Sequence, residues 1–152
     1  MKERFTKSNE VKKKAISLIP HQTGTFSRRS DSYVEGVFPS YVHTASGSHF
    51  TDLDGNEYLD YLCGLGPITL GYNYKPVNDA IIEQLKQGIL FSLPHPVEVE
   101  CSEKISKIIP DADMVKFEKS GSNAVTGAVR AARYLTKKNK IAYCGSGGVW
   151  HD

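Results

Sequence analysis

Met114 to Glu118 and Lys140 to Cys144 are short, partly apolar runs, and between them Val125, Ala128, Val129, Ala132 and Leu135 recur at helical spacing. Strand, helix and strand within roughly thirty residues is the pattern of a right-handed crossover joining two parallel strands. No other feature constrains the fold as much, because parallel strands need helices on both faces and so commit the chain to an α/β layer. Gly145, Gly147 and Gly148 follow the second run, and a covering helix is expected next, yet the sequence stops at Asp152. No internal repeat offers another way to close the sheet. The chain therefore reads as cut inside a domain.

Two more helices precede the crossover. Pro76 suits a first helical turn, Val77, Ala80, Ile81 and Leu85 share a face, and Gly88 suits the end. Pro96 opens the next helix, with Glu98, Glu100 and Glu103 near the positive end of its dipole and Pro110 as terminator. Its buried stripe is Val97, Cys101, Ile105 and Ile108, which makes Cys101 a small core residue and not a catalytic thiol. Earlier still, Phe50, Leu53, Tyr58 and Leu59 flank Asp54-Gly55, a dipeptide suited to tight hairpin turns, so two short antiparallel strands are expected there. Cys63-Gly64-Leu65-Gly66-Pro67 is either a plain turn or a loop whose backbone approaches a ligand closely.

Residues 2–19 combine Lys2, Arg4, Lys7 and Lys12 to Lys14 with a thin apolar stripe of Val11, Ala15, Leu18 and Ile19, an amphipathic helix ended by Pro20. A solvated charged face docked on a larger body is the commoner use of such a helix than a nucleic-acid arm. His21 to Ser48 lacks clear periodicity and reads mostly as loop. The resulting organisation is an N-terminal helix and extended arm over 1–48, a small antiparallel unit with its glycine loop over 49–72, and the start of a larger α/β domain over 73–152.

The length of 152 residues suits one domain or a piece of one and excludes a multidomain enzyme. At 39% hydrophobic and 24% charged residues the chain has the composition of a globular protein. Nineteen basic against seventeen acidic side chains leave +2, interspersed along most of the chain, which calls for neither nucleic acid nor an acidic membrane. Cys63, Cys101 and Cys144 are odd in number and form no CxxC, so a disulfide framework and a cysteine zinc site are not expected. His43, His49 and His95 lack metal-ligand spacing, and no metal is assigned. No run approaches the roughly eighteen apolar residues that span a bilayer, nor is there a signal peptide's apolar region. A cytoplasmic protein is expected.

Lys119-Ser120-Gly121-Ser122-Asn123-Ala124 lies where the first strand of the crossover turns into its helix. Glycine permits the sharp turn, the first helical amides point outward, and serine hydroxyls add donors, so the site can cradle a phosphate. The same residue types also make an ordinary N-cap, the commoner outcome. Neither a GxxxxGK[ST] nor a GxGxxG spacing is present. Trp150 and His151 follow the second strand and fall at the same carboxyl edge of the sheet, where ligands of open α/β sheets bind. An indole there can stack on a planar group, or can simply pack under a loop.

Phe50-Thr51-Asp52-Leu53-Asp54-Gly55-Asn56-Glu57-Tyr58-Leu59-Asp60, then Gly64-Leu65-Gly66 and Leu70-Gly71-Tyr72, resembles the N-terminal part of class III aminotransferases. With Ser120-Gly121-Ser122-Asn123-Ala124 and the later Trp150-His151 pair, the chain is most similar to the glutamate-1-semialdehyde aminomutase branch, from about Ser27 onward. The resemblance implies pyridoxal 5′-phosphate as cofactor, the N-terminal part of a type I aminotransferase fold with an incomplete, mostly parallel sheet and flanking helices, and a homodimer. It implies that Gly121 and Ser122 hold the cofactor phosphate, that Trp150 stacks on the pyridine ring with His151 beside it, and that Arg28 binds the substrate carboxylate, with Arg29 an adjacent competitor. Asn123 stands where an acidic residue is common. The Schiff-base lysine and the aspartate that pairs with the ring nitrogen are expected beyond Asp152, so this chain by itself is expected to be inactive.

The expected function is the N-terminal portion of an aminotransferase or aminomutase acting on small amino and carbonyl compounds. Its alternative is a non-catalytic remnant serving as an interaction or regulatory module. A downstream strand-associated Asp and a later Lys distinguish the first from the second. A different phosphate-ligand binder of doubly wound type would need another phosphate motif than Ser-Gly-Ser.

Overall fold

The computed structural model describes residues 4–142. It divides into two compact units, Met1–Ile89 and Leu90–Asp152.

The first unit opens with α1, Thr6–Leu18. The sequence pattern foretells this helix, although of its apolar stripe only Ala15 is buried, together with Phe5 just ahead of the helix. Pro20 cannot continue the helix, and a short 3-10 turn over Pro20–Gln22 follows. Two more such turns, Phe26–Arg28 and Ser30–Ser32, carry the chain to an antiparallel sheet. Its strands are β1, Val42–Ser46, β2, His49–Asp52, and β3, Glu57–Leu59, in the order β1-β2-β3.

The hairpin of β2 and β3 is the one that Asp54-Gly55 announces, with Thr51 opposite Glu57 and Gly55 at φ 88°. Strand β1 falls in the stretch read as loop. Val42-His43-Thr44-Ala45-Ser46 has almost no apolar alternation, since all but Ala45 are exposed and a register shift interrupts the pairing between Val42 and Thr44. It is a strand through its backbone ladder to β2, a signal that side-chain periodicity does not carry. Beyond β3, Tyr72 and Gly47 exchange hydrogen bonds of 2.8 and 2.9 Å, tying the segment after the glycine loop to the β1–β2 turn. A Cβ on Gly71 would stand 3.0 Å from the Gly47 carbonyl oxygen, and its φ is 85°, so glycine fits this close approach. The unit ends with α2, Lys75–Gln87, whose Pro76 and Gly88 stand at its two ends as expected.

The second unit holds α3, Pro96–Ile108, and α4, Gly121–Thr136. The imidazole Nδ1 of His95 accepts from the Val97 amide at 3.3 Å and so caps α3. Most of the stripe expected to be buried on α3 is open: Val97 is half exposed, Ile108 is 78% exposed and Cys101 is exposed, while Ile105 is partly covered. Cys101 is therefore exposed and not a core residue among the described residues. The first strand of the expected crossover is also not formed. Met114 is 93% exposed, and 115–118 run without a ladder. A parallel strand exists only through neighbours on its edges, and among the described residues every ladder is antiparallel. Lys140–Cys144 lies partly outside the described residues, and 140–142 carry no ladder.

Candidate functional site: the start of α4

Ser120 is in an extended conformation (φ −151°, ψ 163°) and takes the N-cap of α4. Its Oγ accepts from the Asn123 amide at 3.3 Å and donates to Asn123 Oδ1 at 2.6 Å, while its carbonyl accepts from the Ala124 amide at 3.0 Å. The cap is thus made by the serine before the glycine. The next two amides, of Gly121 and Ser122, have no partner among the described residues, and neither has the Ser122 hydroxyl. A Cβ built on Gly121 meets nothing within 4 Å, so the approach to these amides is open. Unpaired N–H groups and the dipole of a 16-residue helix converge where negative charge is favoured. The donor set fits a phosphate dianion, and Asn123 is engaged with Ser120 and not with such a ligand.

Arg28 belongs to the first unit. It ends the Phe26–Arg28 turn, is exposed, and reaches the Gly64 carbonyl with Nη2 at 3.4 Å. Its neighbour Arg29 pairs with Asp31, Nε to Oδ1 at 3.0 Å. A carboxylate faces Arg29, whereas the hydrogen bond that Arg28 makes among the described residues is to a backbone carbonyl. Trp150 and His151 lie outside the described residues.

The loop that Arg28 touches is held in an uncommon conformation. Cys63, Gly64, Leu65 and Gly66 all have positive φ, at 49°, 62°, 70° and 107°. Asp60 stabilises this run: it accepts from the Leu62 amide at 2.8 Å and from the Tyr72 hydroxyl at 2.7 Å. The hydrogen bond from the Tyr72 hydroxyl, joined by backbone amides, outweighs the cost of burial and holds the Asp60 carboxyl below its ordinary range. The same bond pushes the Tyr72 phenol up. Sequence reasoning quoted Asp60 and Tyr72 within the family-like strings but gave them no role, although the Asp-x-Leu-x-Gly spacing of a carboxylate just before a glycine loop offered the signal.

Among the described residues no group of three or more His, Cys, Asp or Glu side chains is placed to hold a metal. Nor is any described helix long and apolar enough to cross a membrane.

The family model for class III aminotransferases matches residues 32–147. A 3-aminobutyryl-CoA aminotransferase of Cloacimonas acidaminovorans is 38% identical over 99% of this chain and 36% of its own length. A glutamate-1-semialdehyde 2,1-aminomutase of Clostridium novyi is 37% identical over 93% of the chain and 32% of its own. Among solved structures, an omega-transaminase from Sphaerobacter thermophilus superposes with a TM-score of 0.81 at 27% identity, covering 92% of this chain and 32% of that one. A transaminase with PLP bound gives 0.81 at 32% identity, covering 93% and 33%. The chain thus spans about a third of the length of the curated relatives it matches. Its α/β architecture is the N-terminal portion of the type I aminotransferase fold. On the match over residues 32–147 and these likenesses, the chain belongs to the class III aminotransferases.

Proposed function

We propose that this chain is the N-terminal portion of a pyridoxal-phosphate-dependent aminotransferase or aminomutase acting on small amino and carbonyl compounds. The observation that carries the reading is the division of labour at α4: Ser120 caps the helix, and the amides of Gly121 and Ser122 with the Ser122 hydroxyl remain open to an anion. Gly121 and Ser122 would hold the cofactor phosphate. The resemblance adds Trp150 against the pyridine ring and His151 beside it, and Arg28 for the substrate carboxylate. The bound cofactor supplies an electron sink through which an amino group is moved. Cys63 and Cys101 are free thiols, in keeping with a reducing cytoplasm. The relatives' class also favours a homodimer.

The test is a titration of the full-length protein with pyridoxal phosphate, followed by visible absorption. Saturable binding with a shifted cofactor band is expected. No binding in a folded protein would overturn the proposal.

A further inference from the structure

Helix α1 begins without a cap of its own. Phe5 at its N-cap makes no side-chain hydrogen bond, and the first turn holds no acidic residue. The missing carboxylate comes from the β2–β3 turn, 46 residues away along the chain. Asp54 Oδ1 accepts from the Lys7 amide at 2.7 Å, and Oδ2 accepts from the Ser8 amide at 3.0 Å and the Ser8 hydroxyl at 2.7 Å. Both oxygens are therefore spent on the first turn of α1, and Ser8 is fully buried against them.

The turn itself does not depend on this bond. Asp52, 1% exposed, accepts from the amides of Asp54 and Asn56, from Asn56 Nδ2 and from the Tyr58 hydroxyl, at 2.8–3.0 Å. Asp52 locks the hairpin inward and Asp54 reaches outward. Apolar anchoring of the segment rests on two buried side chains, Phe5 and Ala15, while Ile16, Leu18 and Ile19 are exposed. Further ties include a 3.3 Å contact of Arg4 Nη2 with the Tyr58 hydroxyl, the Arg4 guanidinium over the Tyr58 ring, a 3.2 Å bond from Asn56 Nδ2 to the Arg4 carbonyl, and a 3.0 Å Lys12–Glu35 ion pair.

We propose that residues 4–18 form a strap whose first turn is capped in trans by the Asp54 carboxylate of the β2–β3 hairpin, and that loss of this cap lets the strap lift while the sheet stays paired. The strap ends in the Pro20–Gln22 turn, where His21 and Gln22 both take positive φ, 58° and 65°. Two consecutive non-glycine residues in that region make a strained joint. The next segment carries Arg28, so the docked strap fixes the start of the chain that leads to it.

Hydrogen exchange on the full-length protein tests this. Asp54→Asn keeps the shape but sets an amide N–H against backbone donors. Amides of α1, Lys7 and Ser8 above all, should exchange about tenfold faster or more, with those of β2, β3 and α2 unchanged. Ser8→Ala removes one of the three bonds and should give a smaller acceleration confined to the same helix. Unchanged α1 exchange in Asp54→Asn, or acceleration spread equally through the hairpin and α2, overturns the strap. If Asp54→Asn does not fold, Ser8→Ala decides by the same two patterns.

Discussion

Asp52, Asp54 and Asp60 each use a carboxylate to gather backbone N–H groups that no ladder satisfies. Burial pushes Asp52 and Asp54 up, but the bonds from Asn56 and Tyr58 to the first, and from Ser8 and Lys7 to the second, outweigh it and hold both below the ordinary carboxylate value of 3.8. Asp60 is held down as well. A carboxyl with a lowered folded value contributes stability that is full above its unfolded value and is lost as pH falls through the folded one. Denaturation of the full-length protein should therefore give a midpoint that is flat from neutrality to about pH 5 and drops progressively below it. Asp52→Asn should flatten part of that drop, and a midpoint that rises on acidification would refute the assignment. The turn at Asp54-Gly55 was legible because glycine at positive φ is a local requirement. The bonding of the three carboxylates was not, because their partners at Ser8 and Tyr72 come together only after the chain has folded.

Among the elements, helices were the most legible. Pro76 with Gly88, and Pro96 with the early Glu98, mark ends that need no tertiary partner, and α2 and α3 begin and stop beside them. β1 and the expected strand at Met114 were misread in opposite directions, for one reason: a strand is decided by what lies beside it. At α4 the sequence left cap and ligand open, and the structure assigns the cap to Ser120. Two substitutions should then part company. Ser120→Ala removes the cap and should lower stability by about 1 kcal/mol, with cofactor affinity nearly level. Ser122→Ala should leave the melting temperature nearly unchanged and weaken pyridoxal phosphate binding by roughly ten- to a hundredfold, the worth of a hydrogen bond to a charged group. Thermal melts without cofactor and titrations with it separate the two. Equal effects in both assays would deny Ser122 its role.

For the whole molecule, the family was legible in the ordered motifs from Phe50 to Tyr72 and at Ser120 to Ala124, whereas the packing was not. Periodicity shows that a face is apolar and not what covers it. Val77, Ile81, Ile82 and Leu85 on α2, Val97 and Ile108 on α3, and Tyr134 and Leu135 on α4 are all exposed. Soluble monomers rarely present contiguous apolar patches beyond a few hundred Å², and among the described residues the largest fully buried side chains are those of Asp52 and Ser8, both polar. The family's homologous structures place about twice as much chain again around the matched portion, which is where partners for these faces would come from. Residues 1–152 expressed by themselves should consequently self-associate. Light scattering should report species larger than one chain of 16.8 kDa, and melting should be broad, because little apolar surface is withdrawn from water in a single cooperative step. A monodisperse monomer with a sharp melt would show that the helices find their partners within these 152 residues, and the open faces of α2, α3 and α4 would then have to pack in a way the present arrangement lacks.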